Sequence, residues 1–164
     1  MWNEHLRYSL EIRDWGYIPE YEAWEMSKGS SGWKVGKSSK VAWREIIDAA
    51  ELVGRVKESE FIKNLKSGNE TIRYWATIGL GAYEKKLSND SLSALEKALK
   101  DSSASVRIEA ANALIRNGNT ETAIAVLIEE LEHKNLIVVT HVARTIELLG
   151  DRAKKALPAM KACL

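Results

Sequence analysis

Apolar residues recur at three- and four-residue steps through most of the chain after residue 41, the period of an amphipathic α-helix. Glycine interrupts this pattern at places where a helix is expected to end, namely Gly54, Gly68, Gly118 and Gly150. The pattern predicts four helix pairs over about 41–67, 70–100, 104–132 and 135–164. Pro158 falls inside the last predicted helix, so that helix is expected to kink there or to begin later.

A block of this pattern occurs more than once. Residues 105–114 follow residues 71–80 at a spacing of 34 when Arg107 is aligned with Arg73, and a weaker copy begins near Ile137. Self-similarity at this period is typical of helix pairs that stack into a solenoid. The sequence therefore predicts an all-α protein, a right-handed α–α superhelix of antiparallel helices.

Aromatic residues separate the first 40 residues from the rest. We expect residues 1–40 to form an aromatic-rich leader with a Gly/Ser/Lys loop, and residues 41–164 to form the repeat domain. Because the exposed end of a solenoid needs covering, Trp15, Tyr17 and Trp24 are expected to cap the first repeat. Alternatively they face an absent neighbour and favour dimerisation, and Trp33 in the loop is a further candidate interface residue.

Charge and composition narrow the function classes. Lys and Arg number 24 against 23 Asp and Glu, a formal net charge of +1, which does not favour a nucleic-acid partner. The chain has no apolar run of the roughly 20 residues needed to span a membrane. Cys163 is the single cysteine, so an intrachain disulfide is excluded.

Motifs for catalysis or cofactor binding are weak. Residues 31–38 nearly spell a phosphate-binding loop but have neither a preceding strand nor a clean following helix. The spacing of His133 and His141 does not match that of a zinc-binding helix. The acidic run around Glu129 and Glu130 is interpreted as a solvated face. We expect no catalytic, cofactor-binding or metal-binding residue in this chain.

Asp101 precedes Arg107 by six residues at the start of a repeat. This arrangement resembles HEAT and HEAT-like repeats, in which an Asp in a turn and an Arg early in the next helix form a ladder between neighbours. The resemblance implies that Asp101, Arg107 and Arg73 fix the stacking of the repeats, rather than bind an anion or catalyse. The positions equivalent to Asp101 and Arg107 are Ser67 and Arg73 in the earlier copy, and His133 and Val139 in the later one.

The leader resembles a segment that follows the catalytic domain in bacterial sulfatases. The resemblance rests on residues 6–7 and 12–22, with a helix like 45–53 and a closing repeat like 148–160. It implies that the chain is the non-catalytic C-terminal module of a sulfatase that acts on sulfated glycans. The Cys or Ser that becomes formylglycine is absent, since Tyr17 and Ala156 stand two residues before the prolines.

The same resemblance implies a catalytic domain in cis as the partner, an enzyme that is periplasmic or secreted, and a natural chain that begins before Met1. The alternative is a free-standing scaffold that binds a protein partner on its concave face, with neither nucleic acid nor membrane. A third hypothesis is an enzyme or chaperone for tetrapyrrole attachment, as in the phycobilin lyases. That family has the same repeat motif, but no pigment site is visible in this sequence.

Overall fold

In the computed structural model, residues 48–83, 85–118 and 120–162 are described, and these residues form helices and turns without a strand. Residues 48–51 are helical, and the 3-10 segment Gly150–Ala156 precedes the last helix. The helices are α1 (Glu58–Asn64), α2 (Glu70–Gly81), α3 (Asn89–Ala98), α4 (Ala104–Arg116), α5 (Glu121–Glu130), α6 (Leu136–Leu149) and α7 (Leu157–Ala162).

Short polar side chains determine where several helices begin. The Oδ1 of Asn69 accepts hydrogen bonds from the backbone N–H groups of Thr71 (2.8 Å) and Ile72 (3.2 Å), and Asn135 caps α6 through Ile137 N–H in the same way. These bonds satisfy donors that have no partner inside the helix. The predicted start of α6 at Asn135 is thus confirmed.

Serines precede two further helices. Ser88 caps α3, with its side chain accepting from the backbone N–H of Ser91, and Ser103 precedes α4. Gly118 has the left-handed φ (+90°) expected just after a helix end. Pro158 is the second residue of α7, so the last helix begins later than its apolar pattern suggested, after a 3-10 segment.

The helices stack in repeat order. Helix α4 lies between α2 and α6 and also contacts α3 and α5, so it is the centre of the described structure. Its interior-facing residues are short or branched, and Ala110, Ala111 and Ile108 are fully buried. Small side chains let the neighbouring helices approach closely: a Cβ on Gly81 of α2 would lie 3.3 Å from that of Ala113. The fold is the predicted all-α superhelical stack.

Helices α2, α4 and α6 form one side of this stack, which we call the inner face. The ring of Tyr74 on α2 comes within 6.3 Å of the ring of His141 on α6, although α4 lies between the two helices. Helices two repeats apart therefore converge on this side, which indicates that it is the concave one. Helices α1, α3 and α5 form the outer side.

Candidate functional site

In the structure, each repeat consists of an outer helix and the inner helix that follows it: α1 and α2, α3 and α4, α5 and α6. A largely buried ion pair joins the first of these repeats to the second. The Nε of Arg73 donates to Oδ2 of Asp101 (2.7 Å) and Nη2 donates to Oδ1 (2.8 Å), while Nη1 donates to the carbonyl of Ser67 (3.0 Å). Both side chains are less than 15% exposed, at 13% and 12%. Two parallel bonds from a planar guanidinium fix the relative orientation of the repeats as well as their distance.

Arg107 repeats this arrangement one step further along the stack. Its Nη1 donates to the carbonyl of Asp101 (2.7 Å), as Arg73 does to Ser67, and its Nε and Nη2 each lie 2.5 Å from Oε1 of Glu130. The acid paired with Arg107 is thus Glu130, not the carboxylate of Asp101 in its own repeat. Each arginine binds a carbonyl in its own turn and an acid in the next repeat. We call these two contacts the rungs.

Glu130 corrects a sequence interpretation. It was grouped with Glu129 as part of a solvated face, but only 5% of it is exposed. The turn position in its repeat is occupied by His133, which has no carboxylate, and Glu130 lies one helical turn earlier. The signal that sequence reasoning missed is Arg107 itself, since a half-buried arginine requires an acid within reach.

The three equivalent turn residues nevertheless share one local role. Ser67 Oγ, Asp101 Oδ1 and His133 Nδ1 each accept a hydrogen bond from the backbone N–H two residues later, at 3.1, 2.9 and 3.0 Å. Serine, aspartate and histidine all carry an acceptor at the required distance from the backbone. The equivalence of these positions in the alignment is therefore seen in their contacts.

The rung geometry favours the ionised form of Asp101. Burial alone would raise its pKa, but the hydrogen bonds from Arg73 and the Ser103 N–H, with the charge of Arg73, hold the pKa of Asp101 below its usual range. The rung therefore stays charged at neutral pH.

A second polar contact joins α4 to α6 on the inner face. The Nε2 of His141 lies 2.7 Å from Oε1 of Glu109, with side chains 7% and 13% exposed. Burial would raise the pKa of Glu109, but His141, Asn112 and the nearby Arg116 hold it below its usual range. Because an ionised carboxylate only accepts, Nε2 carries the proton. The Nδ1 of His141 is buried with no hydrogen-bond partner among the described residues.

This contact continues outward along α4. The Nδ2 of Asn112 donates to the other oxygen of Glu109 (3.0 Å), and the Nε of Arg116 donates to Oδ1 of Asn112 (3.2 Å). A line of hydrogen bonds thus runs from buried His141 to the exposed guanidinium of Arg116. Of these four residues, only His141 was considered in the sequence, as a metal ligand.

The described residues contain no group of three or more potential metal ligands and no helix long and apolar enough to cross a membrane. A shallow groove lies between the outer helices α1 and α3, with Leu65, Ala94 and Ala98 among its apolar residues and Lys66 and Lys97 beside them. The leader residues Trp15, Tyr17, Trp24 and Trp33, and the phosphate-loop-like segment 31–38, lie outside the described residues.

Comparison with known families agrees with this geometry. The family model for HEAT repeats matches residues 58–147 and again residues 93–164, so the two matches together span 58–164 of the 164 residues. No match was found among curated proteins or among solved structures.

Proposed function

Because the chain belongs to the family of HEAT repeats, we propose that it is a non-catalytic scaffold that holds a protein surface against its inner face. The observation that carries this proposal is the pair of buried rungs, Arg73–Asp101 and Arg107–Glu130, which join three successive repeats. Charged pairs that are largely removed from water gain little net stability, yet they fix geometry, because a shifted neighbour would leave a charge unpaired. A curved surface of fixed shape suits a scaffold.

We further propose that the surface held is the catalytic domain of a sulfatase and that this chain forms the accessory C-terminal region of that enzyme. Support comes from the leader sequence around Ile12–Glu22 and the closing sequence 148–160, which resemble that region. In this proposal the sulfate-ester chemistry belongs entirely to the catalytic domain. The scaffold supports that domain or shapes the access of a large sulfated glycan.

The direct test has two steps. The gene sequence immediately upstream of Met1 is read first, and a continuous frame that encodes a formylglycine signature is the expected result. The two parts are then produced separately, and sulfate release from a sulfated glycan is measured for each part and for their mixture. We expect no release by this chain, and greater release or greater thermal stability for the catalytic part when the chain is added.

Two results would contradict the sulfatase proposal: a stop codon directly upstream, or sulfate release by the purified chain. A stop codon with no release would leave the free-standing scaffold, which binds a separate protein partner on the same face. The Arg73→Met variant removes the guanidinium that pairs with Asp101, and so tests whether the fixed shape of the stack is needed for binding. It should bind the catalytic part more weakly if the rung is needed to hold the surface.

A further inference from the structure

The inner face carries cations that the rungs do not use. The repeat register places three residues at one position on successive helices: Ile78 on α2, Asn112 on α4 and Arg144 on α6. One turn later the equivalent positions hold Ala82, Arg116 and Leu148. These residues are exposed or half-buried, in contrast to the core positions beside them. They form a strip across the three helices that a partner can reach.

Two acids lie near this strip, Glu109 and Glu147. Glu109 is only 13% exposed, and its two oxygens are occupied by His141 and Asn112. Glu147 lies at the edge of the strip, where it accepts from Nη1 of Arg144 at 2.6 Å, and both side chains are solvent-accessible (64% and 37%). Arg144 and Glu147 therefore form an exposed pair, and Arg116 is the cation of the strip that no ion pair of the described structure holds.

The side chain of Arg116 is exposed, but a hydrogen bond to Asn112 fixes its position. The Oδ1 of Asn112 accepts from its Nε, the Nδ2 of the same amide donates to Glu109, and Glu109 is fixed in turn by His141. The guanidinium has further N–H donors, which can match the oxygens of a carboxylate. An anchored arginine also loses less side-chain freedom on binding than a mobile one.

We propose that the inner face recognises an acidic segment of its protein partner, whose carboxylates bind Arg116 and Arg144 while its apolar side chains contact Ile78 and Leu148. Leu148 is 58% exposed, so an apolar contact there removes surface that is otherwise in water. This inference rests on the proposed scaffold function and names the chemistry of the surface held. Arg116 supplies the charge complementarity, and Arg144 can exchange Glu147 for a carboxylate of the partner because an exposed ion pair is weak. The flanking apolar residues supply the contact area.

The test uses the full chain, labelled with nitrogen-15, and a short helical peptide that carries glutamates flanked by leucines. A peptide with glutamine in place of glutamate is the neutral control. Titration is followed by amide chemical shifts. We expect the acidic peptide to shift amides around Asn112, Arg116 and Arg144, and the neutral peptide to bind about tenfold more weakly or not at all.

Charge reversal locates the contact. Arg116→Glu and Arg144→Glu should each weaken acidic-peptide binding by about tenfold, and Arg116→Lys should weaken it less because the charge remains. The matched control is Arg152→Glu, an exposed arginine on the 3-10 segment, which should bind as wild type does. Unfolding midpoints confirm that each variant is folded, since these side chains are outside the core.

Three results would overturn the inference: no binding, shifts centred on Arg152 and the neighbouring lysines, or an equal loss in the Arg152→Glu variant. The last two would mean that the peptide follows net charge and not the inner face. Any of them would remove the acidic partner and leave the scaffold proposal to be decided by the separate sulfatase experiment.

Discussion

Asp101 serves two repeats at once. Its carboxylate receives Arg73 from the preceding repeat, and its backbone carbonyl receives Arg107 from its own. The same residue also accepts from the Ser103 N–H at the start of α4. A side chain with this many partners has few substitutes, since glutamate would be one methylene too long and asparagine would lack the charge.

Asp101→Asn should therefore destabilise the protein by about 3 kcal/mol, because Arg73 would remain buried without an anion. Equilibrium unfolding in urea measures this change. The matched control is Glu51→Gln, which removes an exposed ion pair with Arg55 at 4.0 Å and should change stability by less than about 0.5 kcal/mol. Equal effects of the two substitutions would show that the buried rung has no special weight.

The lowered pKa of Asp101 predicts how stability responds to acid. The carboxyl binds its proton more weakly in the folded than in the unfolded chain, so its contribution is present above the unfolded value of about 4 and is lost as pH falls through the lower folded value. The free energy of unfolding, measured at a series of pH values, should fall across this window. In Asp101→Asn the fall should be smaller, and an unchanged slope would contradict the assignment.

At the scale of the helices, the close packing of α1 against α2 requires a residue without a side chain at position 79. Gly79 on α2 faces the ring of Phe61 on α1 so closely that a Cβ there would overlap the ring. Phe61 is only 1% exposed and has no room to withdraw. Glycine in the last turn of this helix is therefore needed for packing, although it costs up to about 1 kcal/mol of helix propensity.

Gly79→Ala should destabilise the protein by about 1–3 kcal/mol, since overpacking outweighs the gain in helix propensity. Gly68→Ala is the control, because a Cβ at Gly68 would meet nothing within 4 Å. Adding Phe61→Leu to Gly79→Ala should cost less than the sum of the two single changes, as measured by thermal unfolding. Strict additivity would mean that the ring and the glycine do not compete for the same space.

The helices were largely predictable from sequence, and their connections were not. Apolar period, asparagine caps and glycine stops are local signals, so α2, α4 and α6 appear close to where the pattern placed them. Arg107 and Glu130 are 23 residues apart, and their contact depends on how the repeats stack. The spacing of Asp101 and Arg107 resembles a ladder between neighbouring repeats, but it could not show that Glu130 is the acid paired with Arg107, because sequence distance does not reveal which side chain an arginine can reach.

At the scale of the whole molecule, the stack presents different faces at its centre and at α6. Ile108 and Ile115 on α4 are buried, whereas the equivalent residues on α6, Thr140 and Glu147, are exposed. Polar residues at these positions suit a helix face that is in contact with water. The large exposed apolar side chains found in the described part of the chain, Leu136, Leu148 and Leu157, lie on α6 and α7.

Giving α6 the isoleucines that α4 carries at the equivalent positions should create an exposed apolar surface that promotes self-association. The double variant Thr140→Ile with Glu147→Ile is expected to self-associate more than wild type at equal concentration, because it exposes an apolar face like that of α4. Analytical ultracentrifugation measures the difference. Placing the same two isoleucines at exposed Glu96 on α3 and exposed Lys100 in the turn after it is the control, and equal association there would mean that added hydrophobicity alone is responsible.

Hydrogen exchange of the native protein tests the central claim most directly, namely that buried rungs make the repeats one rigid body. Amides in the middle of α2, α4 and α6 should exchange with the same free energy of opening, and Asp101→Asn should lower that of α2 more than that of α6. If α2 already opens at a much lower free energy than α6 in the wild-type protein, the rungs do not couple the repeats and the scaffold is not rigid.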